Sequence, residues 1–82
     1  MALPHDLDHE KLAEVGLALL GLTAHGEYGA LRAWKGLDWD LMDLLHQKGW
    51  IENPASKNKS VVLTDEGAKL VDRFLERHFG KQ

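Results

Sequence analysis

The segment from Asp8 to His25 reads as a helix that is apolar over more of its circumference than the surface of a small protein allows. At 100° per residue, Leu12, Val15, Leu19 and Leu22 form one stripe, and Ala13, Leu17, Leu20 and Ala24 form a second beyond Gly16 and Thr23. Only Lys11, Glu14, Ala18, Gly21 and His25 share a narrow outward strip. An apolar arc of roughly 220° exceeds the ~100° stripe of an ordinary surface helix. The helix is therefore central to its domain or packed against a second chain. Asp8 is its expected N-cap, Glu10 and Glu14 lie near the positive pole, and Gly26 stops it.

Further along, Ala30 to Lys35 reads as a short second helix, with Leu31 and Trp34 inward, Arg32 and Lys35 outward, and Gly36 ending it. Asp38 caps a third helix that reaches about Lys48, and Gly49 takes the place of a C-terminal glycine stop. Helix, turn and helix in this order are the layout of a helix-turn-helix. Trp50 to Glu52 and Ser60 to Leu63 read as the two strands of a hairpin, joined by a loop from Asn53 to Asn58. Thr64 caps a last helix that opens with Asp65 and Glu66. Along it, Ala68, Val71, Leu75 and Phe79 form one apolar stripe, and Leu70 with Phe74 an adjoining one.

Composition narrows the class. A chain of 82 residues makes one domain, and 44% hydrophobic with 28% charged residues is too apolar for disorder and too evenly charged for a membrane protein. The longest apolar stretch, Val15 to Leu22, is too short to span a bilayer. There is no cysteine for a disulfide or a thiol nucleophile, and the first residues lack the pattern of a signal peptide, so the expected location is cytoplasmic. A chain of this size buries only about 60 to 65% of its unfolded surface. A homodimer through the two over-wide helices is therefore expected, with Leu17, Leu20, Leu70 and Phe74 at its interface.

Leu44-Leu45-His46-Gln47-Lys48-Gly49-Trp50-Ile51, followed by Val61-Val62-Leu63-Thr64-Asp65-Glu66-Gly67, resembles the recognition-helix end and wing of winged-helix regulators of the MarR and PadR types. In those, Leu-x-x-x-Gly-aliphatic-Ile precedes the wing and Val-x-Leu-Thr-x-x-Gly follows it. The likeness covers about residues 38 to 79. The stretch Arg32-Ala33-Trp34-Lys35-Gly36-Leu37-Asp38-Trp39 is similar to a segment in a family of small bacterial proteins of unknown function with the same layout. The fold class implied is mainly α with a two-stranded β-hairpin, winged-helix-like: helix, short helix, helix, wing and C-terminal helix. Residues 1–7 form a frayed N-terminus and residues 8–80 a single domain.

Charge separates the functions such a fold could carry. Ten Lys and Arg stand against thirteen Asp and Glu, a net charge of −3, whereas nucleic-acid binders draw most of their non-specific affinity from a basic face. The outward residues of the third helix are Asp40, Asp43 and Gln47, so two carboxylates would meet a phosphate-lined groove. The candidate nucleic-acid contacts are Arg32, Lys35, Lys57 and Lys59. Four phosphate contacts give a salt slope of only about −3.6, which is weak binding. Lys57 and Lys59 are expected mainly to keep the hairpin tip from pairing, and the rings of Trp34 and Trp39 to lie in the core under the basic heads of Arg32 and Lys35.

His5 and His9 stand four residues apart near Asp6, Asp8 and Glu10, but Pro4 and the adjacent terminus disfavour the helix such a metal site needs. No catalytic, cofactor-binding or metal-binding residues are assigned. The two serines lie in or beside the hairpin loop, and no phosphate cradle or nucleophile elbow is present. The expectation is a non-enzymatic interaction module, a protein-binding accessory or regulatory factor without cofactor or membrane association. The alternative is a weak DNA-binding regulator that uses its wing lysines.

Overall fold

Residues 3–27, 30–55 and 59–81 are described by the computed structural model. Their elements run α1 (His9–Leu22), β1 (His25–Glu27), β2 (Ala30–Trp34), α2 (Trp39–Gln47), β3 (Ser60–Val62) and α3 (Asp65–Phe79). The strands form an antiparallel sheet in the order β1-β2-β3.

Local chemistry sets the three helix starts and the end of α2 where they were expected. The Asp8 carboxylate accepts from the Lys11 N–H at 3.0 Å, and that of Asp38 from the Asp40 N–H at 3.0 Å. Gly49 follows α2 with φ +79°, the left-handed conformation that glycine adopts without a Cβ penalty. The Thr64 hydroxyl accepts from the Gly67 N–H at 3.0 Å, and α3 places Asp65 and Glu66 at its positive pole. α1 stops at Leu22, short of Gly26, because His25–Glu27 pairs with β2.

Three expectations are corrected. Ala30–Trp34 is a strand and not a helix, so α2 is preceded by a sheet and the helix-turn-helix does not form. A helix of six residues closes too few hydrogen bonds to offset its nucleation. As a strand, the same residues turn Ala33, and partly Leu31, to the core and leave Arg32 and Trp34 on the other face. The sheet accordingly has three strands and not the two of a hairpin, with Arg32 opposite Val62 and Trp34 opposite Ser60. The expected strand from Trp50 to Glu52 is reduced to one bridge between Ile51 and Leu63, beside a 2.9 Å bond from the Glu52 N–H to the Val62 carbonyl.

The core lies between α1, the inner face of the sheet, α2 and α3. It joins Leu17 and Leu20 of α1, Ala33 of β2, Met42 and Leu45 of α2, and Val71 and Phe74 of α3, with Trp50, Ile51, Val61 and Leu63 closing one side. The Trp50 and Phe74 rings meet at 5.2 Å and 52°. Leu17, Leu20 and Phe74, expected at a dimer interface, are thus inside one chain, and Leu70 is half-buried against the same core. The strip of α1 expected to face outward is corrected as well: α3 packs directly on it, with Ala18 fully buried, Gly21 against Val71, and Glu14 bonded to Arg77 and His78.

Candidate functional site

Of the sheet's two faces, one is consumed by the core and the other is presented outward. Alternation along β2 assigns Arg32 and Trp34 to the outward face, because Ala33 between them is fully buried. Residues directly opposite in antiparallel register share a face, so His25 and Val62 flank Arg32, and Ser60 flanks Trp34. The Arg32 Nε–H donates to Ser60 Oγ at 2.9 Å across the β2–β3 ladder, which holds the half-buried guanidinium in one orientation. Trp34 beside it is 57% exposed.

The ladder runs one step past both strands. The Lys35 N–H donates to the Lys59 carbonyl at 2.9 Å, which aligns these two lysines at the Trp34 end of the sheet, Lys35 half-buried and Lys59 exposed. Lys35 and Lys59 are therefore brought together, at the end of the sheet beyond Arg32 and Trp34, while Lys57 lies outside the described residues. The expectation that Trp34 and Trp39 are core rings under basic heads is corrected: Trp39 is 60% exposed at the start of α2, and the core indole is Trp50. A strand reverses sides every residue, and this is what moves Trp34 to the side of Arg32.

On α2, Asp43 and Gln47 are exposed as expected, whereas Asp40 is half-buried. The His46 Nδ1–H donates to the Ile51 carbonyl at 3.1 Å and ties α2 to the following segment. Sequence reasoning missed Ser60 and His25 as members of the outward sheet face. The alternation of Leu31, Arg32, Ala33 and Trp34 was the available signal.

A second cluster joins the two longest helices. The His78 Nε2–H at 2.8 Å and the Arg77 guanidinium at 2.9 Å both donate to the same oxygen of Glu14. The His78 bond first, and then Arg77, hold the Glu14 carboxyl below the ordinary glutamate range. Among the described residues, no three or more His, Asp or Glu side chains are grouped to hold a metal ion, and no helix is long and apolar enough to cross a membrane.

The outward sheet face thus offers a solvent-open indole and an oriented guanidinium, with two lysines at the end of the sheet next to Trp34. Such a set matches a partner that supplies carboxylates or phosphates together with apolar surface.

The family model for a domain of unknown function (DUF6429) matches residues 8–81. The uncharacterised protein y4hR of Sinorhizobium fredii (strain NBRC 101917 / NGR234) is 45% identical over 74 residues, which cover 90% of this chain and 96% of that relative. No solved structure matches the chain. The family match runs from the Asp8 cap of α1 past the end of α3 and takes in every element of the fold, so the chain belongs to the DUF6429 family, whose function is unknown.

Proposed function

We propose that this chain is a non-enzymatic interaction module that receives an acidic segment of a protein partner on the outward face of its sheet. The observation that carries the reading is the pairing of exposed Trp34 with Arg32, whose guanidinium Ser60 orients. Trp and Arg are the side chains that most often dominate the energetics of protein interfaces. Lys35 and Lys59 add positive charge at one end, within a chain of net charge −3. A protein segment suits this face better than a nucleic acid strand does. One indole gives a single stacking position, whereas binders of single strands stack successive bases along a basic groove.

A second reading, a winged-helix-like arrangement that binds duplex DNA, draws support from the pairing of β2 with β3 and from the Ile51–Leu63 bridge, which gives a wing-like segment after α2. The exposed Asp43 on α2 and the strand in place of a helix before it weigh against that reading.

Fluorescence polarisation separates the two. The full chain is titrated against labelled poly-glutamate peptide, random duplex DNA and a single-stranded oligonucleotide at about 50 mM salt, where phosphate contacts are strong. The proposal expects the peptide to bind, and Arg32→Glu/Lys59→Glu to abolish binding. Duplex binding lost in the same variant would instead favour the DNA reading. Failure to bind the peptide, or binding that ignores the double charge reversal, overturns the proposal.

A further inference from the structure

With Leu17 and Leu20 consumed by the core, one of the two apolar stripes of α1 is left partly uncovered. Leu19 is 42% and Leu22 63% exposed, Leu12 and Val15 are half-buried, and Leu7, 47% exposed, continues the stripe beyond the helix start. Leu7, Leu12 and Val15 border a shallow depression of about 280 Å³ together with Asp8 and Lys11. We propose that this seam joins a second copy of the same chain, with the two α1 helices packed antiparallel about a two-fold axis.

Three observations point to a second copy. The spacing of Leu12, Val15, Leu19 and Leu22 is 3-4-3, the a/d repeat of a helix–helix seam. That pattern is its own mirror: in an antiparallel pair, Leu12 of one copy lies opposite Leu22 of the other, and Val15 opposite Leu19. A two-fold interface requires such self-complementarity.

Charge sets the direction. Both α2 and α3 carry a basic side chain in their last turn, but α1 carries none. Antiparallel packing brings Lys11 of each copy to the negative pole of the other α1 and Asp8 toward the end that leads to His25. Parallel packing would set Asp8 against Asp8 and Lys11 against Lys11. The one basic side chain within α1 is Lys11, against Glu10 and Glu14, whereas a membrane-surface helix is rich in Lys and Arg.

Area sets the strength. The exposed side chains of Leu7, Leu19 and Leu22 supply the apolar surface of the seam, which is smaller than the ~800 Å² per partner that a standard interface buries. An interface below the standard size is weak, so the pair is expected to dissociate on dilution.

Sedimentation of the full chain from about 1 to about 200 µM tests the pair. The mass is expected to rise with concentration from 9.2 kDa toward twice that value. Leu19→Asp/Leu22→Asp is expected to stay monomeric with an unchanged circular dichroism melt. Because the chain has no cysteine, single substitutions report direction cleanly. A mixture of Val15→Cys and Leu19→Cys chains is expected to form the mixed disulfide far faster than either chain alone forms its own, and this arm holds even if the double aspartate variant fails to fold. A mass of 9.2 kDa at the highest concentration, or a dimer indifferent to the aspartates, overturns the seam. Preferential Val15–Val15 cross-linking overturns the antiparallel arrangement.

Discussion

The Thr64 hydroxyl donates to the Gly49 carbonyl at 2.6 Å while its oxygen accepts from the Gly67 N–H, so one side chain both ends α2 and starts α3. The Thr64 N–H completes the junction with a 3.0 Å bond to the Trp50 carbonyl. Gly49, Trp50, Thr64 and Gly67 are residues of the two sequence strings that suggested a wing. Their placement has a physical cause, since each satisfies or approaches a backbone group of another. Thr64→Ala is expected to lose about 2 kcal/mol of stability, the sum of an N-cap and a further hydrogen bond, whereas Thr64→Ser retains most of it. Urea denaturation checks both.

Gly67 meets the chain so closely that a Cβ there would stand 2.0 Å from the Trp50 carbonyl oxygen. The obstacle is backbone and cannot rotate away. Gly67→Ala is expected to cost about 3 kcal/mol or more, at the upper end of overpacking effects. Gly36→Ala, with nothing within 4 Å of the added Cβ, is expected to stay within about 0.5 kcal/mol. Comparing the two by thermal melting separates close approach from any general cost of replacing glycine.

The Glu14 clasp predicts a pH dependence. A carboxyl whose folded pKa is lowered contributes stability that is present above the ordinary glutamate range and lost as pH falls through the folded value. Glu14→Gln is therefore expected to melt below the wild type at neutral pH, and the two melting temperatures to converge in acid. Parallel curves from pH 7 downward would remove Glu14 as the source.

The three tryptophans are expected to differ in solvent access. Trp34→Phe should remove a large part of the fluorescence that acrylamide quenches, and Trp50→Phe mainly the protected part. In stability, Trp50→Ala is expected to cost about 3 to 5 kcal/mol as a buried ring, and Trp34→Ala less than about 1 kcal/mol.

Leu17→Ala is expected to destabilise the single chain by about 2 to 5 kcal/mol at any protein concentration, because Leu17 is fully buried within it. A loss confined to dilute solution would return Leu17 to an interface between copies.

Local signals in the sequence were sufficient for Asp8, Asp38, Gly49 and Thr64. Caps and glycine stops act within one turn of the backbone, and the residues that satisfy them are neighbours in the chain. The 3.6-residue periods of α1, α2 and α3 were legible for the same reason, as was the basic character of Arg32, Lys35 and Lys59. A short run such as Ala30–Trp34 carries no comparable local signal. Its conformation depends on whether β1 and β3 supply hydrogen-bond partners, and their pairing turned an expected helix into the centre of a sheet. The same pairing put Trp34 and Arg32 on one face and brought Lys35 to Lys59. The two stripes of α1 show the division most plainly. Sequence alone established that both are apolar, but only the docking of α3, α2 and the sheet selected Leu17 and Leu20 for the core and left Leu19 and Leu22 at the surface, because burial is a property of what packs against a helix and not of the helix itself.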